Sequence, residues 1–244
     1  MEKANAEKTM IVTGGSRGIG AGLVKAFLDR GYNVVANALN FSKSNGFATS
    51  DKLALVDGNI AESATAKQIA DVAKSKFGSI DALVNNAGIY FSKPFTDYTI
   101  DDLRALTSVN IEGFLFMTQF AIKQMLAQKT GGSIVNITTT MVDHPIAGVN
   151  CAVAMITKGG LQAATLSLAM EYAKQGIRVN AVAPGVVNTP MHEDDPKDFL
   201  KTLQPMGQMQ EVKDIVDAVV YLTEAPQVTG EVLHVDGGAH VGRW

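Results

Sequence analysis

The sequence predicts an α/β fold, a doubly wound, seven-stranded and mostly parallel sheet with helices on both faces. Seven short apolar runs alternate with longer amphipathic stretches, and a glycine-rich turn directly follows the first run. Such alternation is typical of parallel sheets, because the crossover between two parallel strands is usually a helix. We therefore place the strands first and the helices between them.

The apolar runs are the predicted strands. They lack a strict alternation of apolar and polar residues, as expected of strands covered on both faces. In chain order they are Met10–Val12, Val34–Ala36, Leu53–Val56, Ala82–Val84, Ile134–Ile137, Val179–Val182 and Val232–Val235. The stretches between them predict helices near residues 17–29, 64–76, 101–128, 153–174 and 211–223.

Length and composition indicate one globular domain over residues 1–244. Hydrophobic residues make up 46% and charged residues 18% of the chain, which suits a sizeable core. A formal net charge of −3 gives no general attraction to nucleic acid or to anionic lipid. No apolar run approaches the roughly 20 residues that cross a bilayer. We expect neither a nucleic-acid partner nor a membrane partner.

The single cysteine, Cys151, excludes an intrachain disulfide framework and fits a reducing compartment. The first eight residues are polar and lack the apolar segment of a secretory signal. From these two features we expect a cytoplasmic protein.

Residues 186–210 break the alternation of strand and helix. They contain three prolines and a cluster of acidic residues, and they follow the end of a predicted strand. Ligands of α/β sheets bind at the carboxyl ends of the strands. The segment is therefore either a lid over a substrate or a solvated surface excursion.

The glycine-rich turn spans Thr13–Gly20, between the first strand and the first helix. Glycines permit a tight turn and let main-chain N–H groups approach an anion, and the helix N-terminus adds positive potential. This placement predicts a dinucleotide site on a Rossmann-like sheet.

The end of the second strand indicates which dinucleotide binds. A carboxylate there hydrogen-bonds the ribose of NAD and repels a 2′-phosphate, and residues 34–43 contain no acid. Arg17 and Lys43 are suited to neutralise that phosphate, and Ser42 and Ser44 to donate hydrogen bonds to it. We therefore expect NADP(H) rather than NAD(H). The alternative is that both cations are ordinary solvated residues.

Several further segments resemble the short-chain dehydrogenase/reductase family. Besides the Thr-Gly-x-x-x-Gly-x-Gly turn, they are Asn85–Gly88, Val109–Gly113, Pro184–Met191, Thr229–Glu231 and Asp236–Gly238. The resemblance extends from about Met10 to about Gly238 and rests on independently spaced motifs. It implies a small-molecule ketone or secondary alcohol as substrate and a homotetrameric assembly.

The turn and the resemblance together define a predicted cofactor site. Its residues are Gly14, Ser16, Arg17, Gly18, Ile19, Gly20, Asn37, Asn59, Ile60, Asn86, Ala87, Gly88, Lys158, Pro184, Gly185, Val187 and Thr189.

The catalytic motif of the family, Tyr-x-x-x-Lys, is incomplete. Lys158 is present, but Ala154 stands where the family has its proton-donating tyrosine. The resemblance also implies Asn110 as the asparagine of a water-linked proton path, and Thr139 in place of the serine that binds the substrate oxygen. Counting back from Ala154 places Met141 at the serine position instead. We prefer the count from the strand, because loops absorb insertions.

Several groups are suited to replace the tyrosine. His144 lies on the loop nearest this centre and has a suitable ordinary pKa, with Asp143 beside it. Tyr90, Lys158 itself, or a water in the space of the missing phenol are the alternatives. Cys151 is a small apolar residue rather than a nucleophile.

Three functions follow from this pattern. The first is an NAD(P)(H)-dependent oxidoreductase with a non-standard proton donor. The second is a dinucleotide-binding protein that transfers no hydride, such as a regulatory or non-catalytic subunit. The third is a non-redox enzyme that reuses the cleft, which the intact cofactor motifs disfavour.

Overall fold

Seven strands form a single sheet in the computed structural model, which describes residues 7–41 and 46–242. The strands are β1 Thr9–Thr13, β2 Asn33–Ala38, β3 Leu53–Asp57, β4 Ala82–Asn85, β5 Gly132–Ile137, β6 Ile177–Pro184 and β7 Val232–Val235. Their order is β3-β2-β1-β4-β5-β6-β7, and every pair of neighbours is parallel. The predicted seven-stranded, doubly wound sheet is confirmed, and it is parallel throughout.

The helices flank the sheet where the amphipathic stretches predict them. They are α1 Gly18–Asp29, α2 Ser63–Val72, α3 Ile100–Thr107, α4 Gly113–Gln128, α5 Ala152–Tyr172, α6 Lys197–Thr202 and α7 Val212–Glu224. One predicted helix, 101–128, is divided by a π-helical turn at Ser108–Glu112. Helix α6 was not predicted, because its six residues lie in the proline-interrupted segment 186–210.

Apolar residues fill both faces of the sheet. On β1, Met10 and Val12 pack into one layer with Phe27 of α1. Ile11, between them, packs into the opposite layer with Met117 of α4. Full burial of each such side chain stabilises the fold by about 1.5–3 kcal/mol. Because both faces of these strands are buried, apolar and polar residues do not alternate along them.

The run of helix from Ile100 to Gln128 is long and apolar enough to cross a membrane by length and composition. In this fold, however, α4 packs against α2 and β4, and its Met117, Ala121 and Met125 are buried in the core. Of the apolar window in this run, 39% is buried, so the packing of the sheet accounts for part of its apolar character.

The order of the strands reverses beside β1, since β2 lies on one side of it and β4 on the other. A crevice opens at the carboxyl ends of strands at such a switch point. The turn after β1 and the segments after β4, β5 and β6 all reach this edge, so the topology gathers the motifs of the sequence there.

Residues 186–210 leave the end of β6 and return to it. The N–H of Asn188 donates to the carbonyl of Gln210 at 2.8 Å, and the N–H of Gln210 donates to that of Val186 at 3.0 Å. This bridge closes the segment into a loop across the carboxyl edge of the sheet.

Buried amides join the centre of the sheet to helices on one face. Asn85 donates to Asn136 at 2.8 Å and to Thr118 of α4 at 3.0 Å. Asn136 in turn donates to the hydroxyl of Thr165 on α5 at 2.8 Å. These groups are buried, and each is costly to leave unpaired.

We expect Thr165→Val to lower the free energy of unfolding by about 1–3 kcal/mol, because the amide of Asn136 then loses its acceptor inside the core. Urea denaturation measures the change. Thr96→Val is the matched control, since Thr96 is exposed and bonds only the neighbouring Asp97. Equal losses in the two variants would contradict the role of the buried network.

Candidate active site

The turn after β1 is held by the segment after β4. The amide of Asn86 donates to the carbonyls of Thr13 at 2.9 Å and Gly14 at 3.1 Å. The hydroxyl of Thr13 accepts from the N–H groups of Asn86 and Ala87, both at 3.0 Å. The two motifs therefore form one rigid unit, in which the carbonyls of the turn are already paired.

Glycine is required at three positions of this turn. Gly14 and Gly18 have φ angles of 67° and 53°, which side chains rarely allow. A Cβ on Gly20 would lie 2.0 Å from the carbonyl oxygen of Gly14. Helix α1 begins at Gly18 without a side-chain cap, so the N–H groups of its first turn are available to an anion.

One cavity of about 810 Å³ opens at the carboxyl edge of the sheet. All the residues of the predicted cofactor site line it, together with Thr139 and Ala154. Positions as distant in sequence as Gly14 and Thr189 thus meet at one surface, in the switch-point crevice where dinucleotides bind in such sheets.

The end of β2 is polar but not acidic. Asn37 is buried, and its amide donates to the carbonyls of Val56 at 3.0 Å and Gly58 at 3.1 Å. The amide oxygen of Asn59 accepts from the N–H of Ala61 at 3.1 Å. The NH₂ group of Asn59 is therefore the part of its side chain best placed to reach a ligand.

The charged residues near the end of β2 bear on whether NADP(H) or NAD(H) binds. Arg17 lines the cavity, and no carboxylate within residues 7–41 and 46–242 pairs with it. Ser42, Lys43 and Ser44, the other groups expected at a 2′-phosphate, lie outside the described residues.

Lys158 projects from α5 to the inner wall of the cavity. Its Nζ donates to the carbonyl of Ile137 at 2.8 Å, and a Cβ on Gly88 would lie 3.2 Å from it. Burial lowers the pKa of Lys158 to about 8, because a low-polarity environment disfavours the ammonium. The residue therefore holds a proton at neutral pH and gives it up readily.

Asn110 lies behind this wall rather than on it. The π-helical turn places its side chain so that its amide donates to the carbonyl of Ile89 and to Thr157, both at 3.0 Å. Its oxygen accepts from the N–H of Ile89 at 2.9 Å. Asn110 thereby fixes Ile89, which follows Gly88, and Thr157, which precedes Lys158. It is a positioning residue.

Thr139 has the least committed hydroxyl of three successive threonines after β5. Thr138 donates to the carbonyl of Val182 at 3.1 Å, and Thr140 to the carboxylate of Asp236 at 2.6 Å. The hydroxyl of Thr139 donates to the carbonyl of Pro184 over a longer 3.4 Å. Its oxygen also accepts from the N–H of Met141 at 3.4 Å, so both bonds of Thr139 are long, and its assignment to the substrate oxygen stays a prediction.

Ala154 packs into a small apolar cluster with Cys151 and Val153, against Tyr90 and Met155. It is only 1% exposed and contributes no proton donor. Tyr90 also lines the cavity, but burial raises its pKa to about 12, which makes its phenol a weak acid. The structure thus favours Lys158 over Tyr90 as the acid on this wall.

His144 is not where the sequence places it. Its ring lies 6.1 Å from that of His234 and 5.9 Å from that of His240, and it does not line the cavity. The 3₁₀ turn at Thr140–Val142 carries the chain past the cavity wall towards the end of β7. The interpretation of His144 as the replacement acid is therefore corrected.

The histidines around His144 form a cluster of their own. His234 and His240 stack at 4.2 Å, and Asp236 accepts from the Nδ1 of His240 at 3.0 Å. Burial and the neighbouring His240 lower the pKa of His234 below its ordinary value. The three histidines do not line the cavity, so the cluster lies outside the predicted site.

The sequence interpretation missed a histidine on the cavity wall. His192 lines the cavity, and its Nδ1 lies 2.7 Å from the carboxylate of Asp195, which lines it too. Phe199 and Leu203, from the same segment, add apolar surface. The spacing of a histidine and an acid three residues apart, in a segment already interpreted as a lid, is the signal that could have identified the pair.

We expect Gly20→Ala to weaken NADPH binding about tenfold or more, which corresponds to a loss of at least about 1.4 kcal/mol. The added methyl group pushes against the Gly14 carbonyl and deforms the turn. Titration calorimetry measures the affinity. Gly159→Ala is the control, since the nearest atom there is 3.5 Å away and the helix gains stability. Unchanged affinity in Gly20→Ala would contradict the assignment of the turn.

Comparison with known proteins places this geometry in a family. A family model described as enoyl-(acyl carrier protein) reductase matches residues 14–240. Carbonyl reductase family member 4 of Xenopus laevis is 36% identical over 236 residues, which cover 95% of this chain and 97% of that protein.

Two solved structures show the same architecture with a dinucleotide bound. A 3-ketoacyl-(acyl-carrier-protein) reductase from Brucella melitensis, complexed with NADH, has a TM-score of 0.90 and 29% identity, covering 97% of this chain and 100% of that one. A gluconate 5-dehydrogenase from Burkholderia cenocepacia J2315, with NADP and tartrate, has a TM-score of 0.86 and 29% identity, covering 97% and 96%. Agreement over nearly its whole length shows that the chain belongs to the short-chain dehydrogenase/reductase family.

Proposed function

We propose that the protein is an NADP(H)-dependent oxidoreductase that interconverts a ketone and a secondary alcohol, with Lys158 in place of tyrosine as the proton donor. The observation that carries this proposal is the position of Lys158. Its ammonium lines the same cavity as the predicted cofactor residues and Thr139, and its pKa is about 8. A catalytic acid is most effective when its pKa lies near the working pH.

The described residues fit a nicotinamide dinucleotide. The uncapped start of α1 and the glycine turn suit the pyrophosphate, and Asn37 and Asn59 lie at the adenosine end. Lys158 and Thr189 lie on the wall that would take the nicotinamide ribose and ring. When bound, the nicotinamide supplies or accepts a hydride.

The protein's own side chains complete the reaction by delivering the proton to the substrate oxygen. The hydroxyl of Thr139 donates a hydrogen bond to the substrate oxygen and polarises it. Lys158 then passes its proton to that oxygen, directly or through one ordered water, and is left as a neutral amine. Solvent reprotonates the amine before the next turnover. Asn110 fixes the backbone beside Lys158 throughout.

NADP(H) rather than NAD(H) is supported by charge. Among the described residues that line the cavity, Asp195 is the only acid, and it lies on the 186–210 segment rather than at the end of β2. Arg17 lines the cavity and offers a positive charge to a 2′-phosphate. The two solved relatives carry NADH in one case and NADP in the other, so the preference rests on these side chains.

A second function is a dinucleotide-binding protein without hydride transfer. Ala154 favours it, because the cavity wall has no phenol at that position. The two functions differ in one measurement, since this alternative predicts NADPH binding without consumption of NADPH by any ketone.

The expected homotetramer stays a prediction. Apolar side chains on the outer faces of α4 and α5 support it, because exposed patches of this kind mark interfaces. They are Leu115, Leu126, Ile156, Leu166 and Met170.

We expect the purified protein to oxidise NADPH when ketones are supplied, with kcat/KM falling as pH rises through about 8. The sign follows from the role of Lys158, because reduction needs the ammonium and deprotonation removes it. Lys158→Met should lower the rate by about 10²–10⁴-fold. Lys158→Arg should lower the rate in the same way, because a guanidinium keeps its proton and cannot pass it to the substrate. Wild-type rates in Lys158→Arg would exclude lysine as the acid.

We expect Ala154→Tyr to raise the rate of ketone reduction by about 10²-fold or more, because a phenol one helical turn from Lys158 restores a proton donor. Ala154→Phe is the matched control, with nearly the same bulk and no hydroxyl. Initial rates at saturating NADPH measure both variants. Equal rates in the Tyr and Phe variants would show that the missing hydroxyl does not limit turnover.

A further inference from the structure

The wall of the cavity becomes apolar away from the residues that are predicted to bind the dinucleotide. Six apolar side chains line this part, from the loop after β5, the start of α5 and the segment that holds α6. They are Met141, Ile146, Val149, Met155, Phe199 and Leu203. An apolar wall rewards the burial of hydrocarbon and penalises polar groups that find no partner.

The outer surface of the 186–210 segment is acidic. Glu193, Asp194, Asp195 and Asp198 are exposed, and Asp195 also lines the cavity. Only two lysines stand among them. Lys197 donates to the main-chain carbonyl of His192, and Lys201 pairs with Asp198 at 3.0 Å.

The acids therefore outnumber the lysines on this side of the cavity. Such an imbalance repels an approaching anion over roughly 10 Å at 0.1 M salt. His192, the one histidine among the described lining residues, already faces Asp195 at 2.7 Å. Among the described residues, no lysine or arginine of the 186–210 segment lines the cavity, so none is placed there to pair with a carboxylate or phosphate of the substrate.

We propose that the substrate is an uncharged, largely apolar ketone or its secondary alcohol, rather than a keto carboxylate, a polyol or a phosphate-bearing thioester. This inference rests on the proposed function and names its substrate class. The apolar walls select hydrocarbon. The acidic segment repels anions, and the six apolar side chains offer no partner to substrates with many hydroxyls.

The test compares two ketones that differ in one group, an aryl alkyl ketone and the same ketone bearing a ring carboxylate. With wild-type protein and NADPH, we expect kcat/KM to favour the neutral ketone by about 10²-fold, since an ionised group enters an apolar site at the cost of its hydration. An aldose serves as the polyol probe, with the same expectation. Equal or better use of the carboxylate or the aldose would overturn the inference and leave the proposed function standing.

Further variants test the acidic segment and the apolar wall separately. Glu193→Gln with Asp194→Asn should improve use of the carboxylate several-fold at low salt, an effect that 0.5 M salt removes, and leave the neutral ketone unchanged. Asp51→Asn with Glu171→Gln is the control, because these two exposed acids lie outside the 186–210 segment. Phe199→Ser should lower kcat/KM for the larger ketones by about tenfold or more and spare acetone. An identical charge effect in both double variants would overturn the role of the segment.

If the protein turns over neither ketone, that result contradicts the proposed function. A direct binding measurement then tests the inference about the substrate. Calorimetric titration of both ketones into the protein saturated with NADP⁺ then decides the inference by itself. Tighter binding of the neutral ketone supports it. Tighter binding of the carboxylate, or binding of neither, overturns it.

Discussion

The contact between Asn86 and the turn after β1 is the constraint on which the site depends. The side-chain amide of Asn86 donates hydrogen bonds to the carbonyls of Thr13 and Gly14. The hydroxyl of Thr13 in turn accepts hydrogen bonds from the N–H groups of Asn86 and Ala87. The two segments therefore hold each other in place, and the N–H of Gly15 also ties the turn to β2 by donating to the carbonyl of Asn37 at 2.8 Å. Pairing of β1 with β4 supplies the register for this contact, and the rest of the cavity is assembled around it.

The chemistry depends on a second constraint, the burial of Lys158. A lysine held against the carbonyl of Ile137 in a poorly solvated wall loses part of its affinity for the proton. The resemblance to the family implies that such a lysine serves a tyrosine one helical turn earlier. Ala154 stands at that position and has no proton to donate, so we propose Lys158 as the acid. The same burial that destabilises the ammonium therefore makes it a usable proton donor.

The strands were predictable because buried parallel strands leave a direct trace in the sequence, as in Ile134–Ile137. The π-helical turn at Ser108–Glu112 was not, since a single extra residue in a helical turn leaves the apolar periodicity almost intact. His144 shows a different difficulty. It lies close to the catalytic centre in sequence, but the turn at Thr140–Val142 directs it to His234 and His240, which are some 90 residues away in the chain. Chain proximity therefore did not indicate spatial proximity.

The sequence by itself determined the strands, the glycine turn, the motifs of the predicted cofactor site and the absence of a tyrosine four residues before Lys158. These features are local, since each strand or motif depends on spacing within a short segment. Only the tertiary structure decided the lowered pKa of Lys158, the place of His144 outside the cavity, and the presence of His192 and Asp195 on its wall. Those properties depend on burial and on contacts between segments far apart in the chain, which no local spacing encodes.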